Sequence, residues 1–401
     1  MAKGGKGGAA RADDKDGAGK TAATSWASRG LVAAALVGVL AVAGREWLWR
    51  AAGGAQPSGA VGAGVHDALL AQTKDKAAPL LSVREVRARR QKLSCKNRHP
   101  KDADCDNMAS RGDCEVAPGW MAVYCAASCD ACELLKPEVR CDAARIGYEP
   151  RDAWQAGDLD RLFAGLPERF PAYNVSFLSR PPAGPWVAYF HDFLSDQEID
   201  TLVEQTGGDL RRSTDQGAFD ADGVQEQVLS QDRTSRNAWC SNECEEHPVV
   251  RGVSKRIELV TGVPEDNYES FQLLRYEIGQ EYKRHHDMSE EDNEQLSGPR
   301  ILTFFLYLSD VEAGGGTQFT DLKPPLTVTP KKGGAILWPS VHNEDVTKMD
   351  ARTHHAALPV ERGIKLAANH WIHLRNYKTP NLHGCTGSFT EAEVGEEDAE
   401  Q

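Results

Sequence analysis

"YEIGQEYKRHHD", Tyr276 to Asp287, sets two histidines directly ahead of an aspartate. Such a run is either a polar turn or part of a metal site, and backbone conformation decides which side chains act together. On a β-strand, successive side chains point to opposite faces. His285 and Asp287 then share a face while His286 points away. The pair to consider is therefore His-x-Asp, and it needs a third ligand from elsewhere in the chain.

The stretch "THHAALPVERGIKLAANHWIHL", Thr353 to Leu374, offers one. His355 is followed by Pro359, Gly363 and Lys365, offsets that His354 lacks. Two histidines and one carboxylate, with coordination positions left open, are the ligand set of non-haem Fe(II) oxygenases. Zinc accepts the same set, but the chain has neither HExxH nor a clear general base. Lys365 lies in a segment that reads as a buried strand. A buried ammonium is costly unless it meets an anion. A dicarboxylate chelating the metal at one end would bring that anion at the other.

Five blocks follow in order between Trp186 and Tyr377: "FLSDQEIDTLV", "DRTSRNAW", "FQLLRYEIGQEYKRHHD", "LTFFLYLSDVEAGGGTQF" and "HHAALPVERGIKLAANHWI". Together they resemble the 2-oxoglutarate- and Fe(II)-dependent dioxygenases, most closely the prolyl 4-hydroxylase branch. The resemblance implies a double-stranded β-helix (jelly-roll) core. It implies iron on His285, Asp287 and His355, and the distal carboxylate of 2-oxoglutarate on Lys365, these four being the catalytic set. Tyr276 and Thr317 would hydrogen-bond the cosubstrate. Tyr282, Arg300, Trp371 and His373 would line the peptide groove, and ascorbate would serve as reductant. Two departures bear on the groove and on no ligand. Leu366 stands where a tryptophan commonly follows the lysine, and "HAALPV" replaces "HAGCPV". His286 reads as structural, and the glycines at 314–316 as a turn.

A net charge of −13 over 401 residues argues against a nucleic-acid partner. "GLVAAALVGVLAVAG", Gly30 to Gly44, is the one long apolar run, flanked by Arg29 and Arg45. It reads as a signal anchor with the basic end in the cytosol, or as a cleaved signal peptide. Both readings send the rest of the chain into the secretory lumen. The cysteines agree. There are ten, six of them between Cys95 and Cys132, and such clusters form disulfides in oxidising compartments.

The spacing of those six, with "RGDC", "GWM" and "CxxxCxxC", resembles the ShKT module, the six-cysteine fold of sea-anemone potassium-channel toxins. That resemblance implies the pairs Cys95–Cys132, Cys105–Cys125 and Cys114–Cys129. A zinc site at Cys129 and Cys132 is the competing reading, though no second CxxC balances it. Cys240 and Cys244 are spaced for a local disulfide, and Cys385 offers a strap back to the segment before the catalytic domain; the sequence leaves the pairing of Cys141 and Cys385 open. "NVS" makes Asn174 a glycosylation acceptor.

The expected architecture is mainly β with flanking helices. A basic tail (1–29) leads to a single membrane anchor (30–47) and a stem (48–93). The small disulfide-rich ShKT module (94–133) and a linker with a helix (134–180) follow. The dioxygenase domain (181–377) and an acidic tail (378–401) complete the chain. The expected function is hydroxylation of proline in secreted or cell-surface proteins, using O2 and 2-oxoglutarate and giving succinate and CO2. The expected place is the endoplasmic reticulum or Golgi membrane, type II, with the catalytic domain luminal. The rivals are action on another side chain such as lysine, and a membrane-tethered ShKT binding protein with an inactive barrel. The sequence leaves the oligomeric state open.

Overall fold

The computed structural model describes residues 79–219 and 225–386. The expected anchor at 30–47 lies outside the described residues, as do the stem up to residue 78 and the acidic end from residue 387. Among the described residues no helix is long and apolar enough to cross a membrane.

In chain order the strands are β1 (Val175–Ser179), β2 (Val187–Phe190), β3 (Arg211–Arg212), β4 (Thr214–Phe219), β5 (Gln225–Leu229), β6 (Arg236–Cys240), β7 (Phe271–Tyr276) and β8 (Tyr282–His285), then β9 (Arg300–Tyr307), β10 (Ala313–Gly314), β11 (Thr317–Phe319), β12 (Leu326–Val328), β13 (Ala335–Pro339), β14 (His355–Ala357), β15 (Val360–Arg362) and β16 (Lys365–His373). The major sheet runs β1-β2-β13-β9-β16-β7-β6-β3 and the minor sheet β12-β11-β14-β8. Two facing antiparallel sheets give the jelly roll expected from many short strands.

The major sheet is covered on both faces, which explains why "RILTFFLY" in β9 is almost continuously apolar. Leu302, Phe304 and Leu306 face a helical layer, packing with Ile199 and Leu202 of α5 (Asp196–Thr206) and Val253 and Ile257 of α6 (Pro248–Thr261). Phe305 and Tyr307 face the minor sheet, with Tyr276, Phe319 and Trp338. The start of α5 follows from "SDQE": the Ser195 hydroxyl accepts from the Glu198 backbone N–H, and the Glu198 carboxylate accepts from that of Ser195. Gly262 ends α6 at φ +73°, a left-handed cap that glycine adopts freely.

Two segments, the linker and the acidic tail, differ from expectation. The linker is part of the jelly-roll core: Trp154, Leu159, Leu162, Phe163 and Leu166 are buried in the helical layer. The Phe163 ring stacks on Trp186 at 5.5 Å. Its helix is α4 (Asp158–Ala164), bounded by Gly157 at φ +89° and by Gly165. The polar stretch after α5 forms β3 and the β4–β5 hairpin, and its tip, 220–224, lies outside the described residues. The start of the segment expected as a tail is folded as α7 (Lys378–Leu382) and ends in a bonded Cys385.

The cysteine module contains α2 (Asp102–Arg111) and α3 (Pro118–Tyr124). Its disulfides are Cys95–Cys132, Cys105–Cys125 and Cys114–Cys129. A small apolar centre of Val86, Met121 and Tyr124 surrounds Cys105 and Cys125. Too little core exists here to fold without cross-links. α1 (Val83–Arg90) belongs with the module. Its Arg90 and Arg87 donate to buried Asp106, which also accepts from the Ser128 hydroxyl. Burial opposes ionisation of Asp106, but these donors outweigh it and hold the carboxyl below its usual range.

The module is fastened to the jelly-roll core. Cys141 bonds Cys385 across a sequence separation of 244, and Arg140 donates to the carbonyls of Leu134 and Gly384. Gly119 of α3 sits against the backbone of His383 and Gly384, where a Cβ would collide with main-chain atoms. Gly119→Ala is therefore expected to cost about 1–3 kcal/mol by overpacking. It should read as a lowered Tm and faster proteolysis near residue 384. An unchanged Tm would show that the contact yields.

Candidate active site

The minor sheet brings two imidazoles together. His285 ends β8 and His355 begins β14, and the two are directly paired across the strands. Their ring centroids are 4.3 Å apart. Asp287 is not on the strand, as an extended "EYKRHHD" would have it. β8 stops at His285, and Asp287 follows in a bend. Its Oδ1 lies 3.8 Å from His285 Nε2 and its Oδ2 3.6 Å from His355 Nε2. The ligand atoms of all three residues lie within 4.8 Å of one another. His286 turns away, toward the Thr353 hydroxyl and the backbone of Met288 and Asp350.

Each ring is oriented by its other nitrogen. His285 Nδ1 contacts the Lys283 carbonyl at 2.8 Å and His355 Nδ1 the Thr353 carbonyl at 3.0 Å. A carbonyl only accepts, so both Nδ1 atoms carry a proton and both Nε2 atoms face the centre. Burial, and then His355, push the His285 imidazolium down to about 3, so the ring is neutral. Burial would raise Asp287, but the two histidines, the Thr303 hydroxyl and Arg300 hold it down to about 2. Thr303, on β9, donates to Asp287 Oδ2 at 2.6 Å. Tyr282 lies flat on His285, ring centroids 3.6 Å apart, and the Arg233 guanidinium lies 5.1 Å from the Tyr282 ring centroid.

Lys365 begins β16 opposite Tyr276 of β7. It is 0% exposed, and its Nζ has no hydrogen-bond partner. The rings of Tyr276, Phe305 and Tyr307 surround it at 5.3, 5.4 and 5.9 Å. Tyr307 donates to Thr317 Oγ1 at 3.0 Å. Along β16, Lys365, Ala367, Asn369 and Trp371 share one face, and the register puts Trp371 opposite Thr303. The orphaned ammonium and the carboxylate cluster thus open on the same side of the major sheet.

The residues expected in the groove divide. Arg300 lies 4.0 Å over Trp371 and is ion-paired with buried Glu269. His373 is buried behind them, bonded to Glu269 and the Gly298 carbonyl. Burial opposes ionisation of Glu269, yet Arg300 and His373 hold its carboxyl down to about 2. His373 therefore buttresses rather than lines an opening. Thr303, Glu269 and Gln272 were not singled out from sequence; Arg233 and Trp239 stood in "DRTSRNAW" without a role. Arg233 Nη2 donates to Gln272 Oε1 at 2.7 Å.

Residues 271–373 match the family described as the 2OG-Fe(II) oxygenase superfamily, and 94–132 the ShK domain-like family. Residues 271–373 are thus similar to a 2OG-Fe(II) oxygenase domain. It is 36% identical over 196 residues to prolyl 4-hydroxylase subunit alpha-1 of Homo sapiens, covering 48% of this chain and 35% of that protein. It is 34% identical over 211 residues to probable prolyl 4-hydroxylase 7 of Arabidopsis thaliana, covering 48% and 64%. The chain thus spans about a third of the human relative's length and just under two thirds of the plant one's. A solved viral collagen prolyl hydroxylase from Paramecium Bursaria Chlorella virus-1 is 29% identical, with a TM-score of 0.36, covering 47% of this chain and 95% of that one.

The site fits the two groups that the matched family name specifies. Two imidazoles and one carboxylate converge on a point, as a ferrous ion requires. Lys365 Nζ is an unmatched buried cation, as a dicarboxylate requires. Burial drops the Lys365 ammonium to about 7. Above that pH the free protein holds a neutral lysine, which must take up a proton when a carboxylate arrives. Affinity for 2-oxoglutarate is therefore expected to fall as pH rises above about 7, by up to about tenfold per pH unit. Calorimetry in buffers of different ionisation enthalpy would reveal the proton uptake. Constant affinity from about pH 7 to 9 would remove Lys365 from this role.

Proposed function

We propose that the chain is a prolyl 4-hydroxylase-like dioxygenase acting on proline in extended, proline-rich segments of secreted or cell-surface proteins. The observation that carries the reading is the orphaned Lys365 ammonium on the same side of the sheet as the His285, Asp287 and His355 cluster. A binding protein with an inert barrel has no use for an unpaired buried cation. When bound, iron and cosubstrate supply the oxidation: one atom of O2 enters succinate as CO2 leaves 2-oxoglutarate, and the other converts a proline C–H to C–OH.

The chain's own residues hold and shield that chemistry. His285, Asp287 and His355 would ligate the ion. Lys365 would anchor the distal carboxylate, with Tyr276 and Thr317 beside it. Thr303 keeps the Asp287 carboxylate oriented, and Tyr282 fixes the His285 ring. Phe305, Tyr307, Phe319 and Trp338 close the space between the sheets to water. Ascorbate would keep the iron ferrous.

Residues 79–386 incubated with Fe(II), ascorbate, 2-oxoglutarate and a proline-rich peptide should give succinate and a peptide heavier by one oxygen on proline. Oxygen placed on lysine in a mixed peptide would shift the substrate class, and no succinate from iron-loaded protein would reject the enzyme.

All ten cysteines are paired, which supports folding in an oxidising lumen. We place the enzyme in the endoplasmic reticulum or Golgi, held by the apolar run at 30–44 as a type II anchor. Asn174 is exposed and would carry a glycan there. Protease protection of microsomes, and a glycosidase-sensitive mass lost in Asn174→Gln, test both statements.

A further inference from the structure

Trp239 is 46% exposed, although its neighbours Ala238 and Cys240 in β6 are buried. Register puts it opposite Gln272 of β7, which in turn faces Asn369 of β16. Trp239 therefore stands on the same face of the major sheet as Trp371 and Thr303. Its ring centroid is 6.1 Å from that of Trp371. Trp371 is only 6% exposed, and its Nε1 is buried without a partner. Arg300 lies over the Trp371 ring and donates to the Asp287 carbonyl at 3.4 Å. A continuous ladder, Trp239–Trp371–Arg300, thus runs from solvent to the backbone of the carboxylate ligand.

The outer rung is held rigidly. Directly after Trp239 the chain is closed by the Cys240–Cys244 disulfide, both sulfurs in the core beside α6. An exposed indole on a cross-linked strand end is a fixed platform rather than a loose surface side chain. Its flat apolar face suits a pyrrolidine ring. An extended polyproline II chain presents such rings at a regular rise of about 3.1 Å per residue, with little ordering cost on binding.

We propose that Trp239 is a specificity-determining residue: it receives a proline ring that flanks the hydroxylated one, so that the enzyme favours proline-dense tracts over isolated prolines. This rests on the proline-hydroxylase reading and deepens it. The test compares decaproline with an equally long peptide holding one proline. Trp239→Ala should raise KM for decaproline about five- to tenfold relative to the single-proline peptide, and Trp239→Phe should restore most of the difference.

Binding is read in parallel, by calorimetry of decaproline into Mn(II)-loaded protein with 2-oxoglutarate. Decaproline that binds wild type, binds Trp239→Ala several-fold more weakly and is never oxidised would sink the hydroxylase reading and keep the subsite. An unchanged ratio of the two KM values, an equal loss for both peptides, or equal decaproline binding by both proteins would overturn the subsite.

Discussion

Asp287→Ala should abolish succinate formation, by at least about a thousandfold, while leaving the fold intact. Asp287 supplies the one negative charge among the three converging groups, and two imidazoles alone bind a hard dication poorly. The carboxylate is buried, so its charge is undiluted by water. Its position is also over-determined: Thr303 donates to Oδ2 from the opposite sheet and Arg300 donates to its carbonyl. Thr303→Val, which removes only the orienting donor, should weaken metal binding by about 10–100-fold. The measurement is Co(II) or Fe(II) titration followed optically, beside succinate release, with far-UV circular dichroism as the folding control. Turnover within tenfold of wild type in Asp287→Ala would show that the metal sits elsewhere.

Lys365→Met should move stability and cosubstrate binding in opposite directions. The wild-type lysine is charged in the unfolded chain and mostly neutral in the folded one above about pH 7. Its folded pKa is depressed, so the unfolded state binds the extra proton between about 7 and the ordinary lysine value. Wild-type stability therefore rises with pH across that window, and the penalty is largest below it. Methionine keeps the volume and removes the charge, relieving a few kcal/mol and raising the Tm of the metal-free protein by roughly 5–10 °C. The same change removes the cationic partner for a distal carboxylate, so KM for 2-oxoglutarate should rise more than about a hundredfold. A variant that gains neither stability nor cosubstrate KM would mean that Lys365 already has a partner in solution.

Much of the candidate site was legible because its signals are local. His-x-Asp, and the offsets from His355 to Pro359, Gly363 and Lys365, lie within short stretches, and each side chain's chemistry is intrinsic to its type. The helix starts at Ser195 and Pro248 and the stop at Gly262 were legible for the same reason. Less legible was the extent of the domain. Trp154 and Leu159 to Leu166 read as a linker because one amphipathic turn between glycines does not say which surface it will cover.

The sequence by itself determined the ligand types, the buried lysine and the cross-linked module, since these follow from residue identity and short spacing. Only the tertiary structure decided that Asp287 leaves its strand, that Thr303 and Arg300 hold it, and that Cys141 meets Cys385. It alone brought Trp239 beside Trp371. Each of these depends on register between strands far apart in the chain, and one residue of slip would turn Thr303 and Trp371 to the opposite face. Register is set by packing across two sheets at once, which no local pattern encodes.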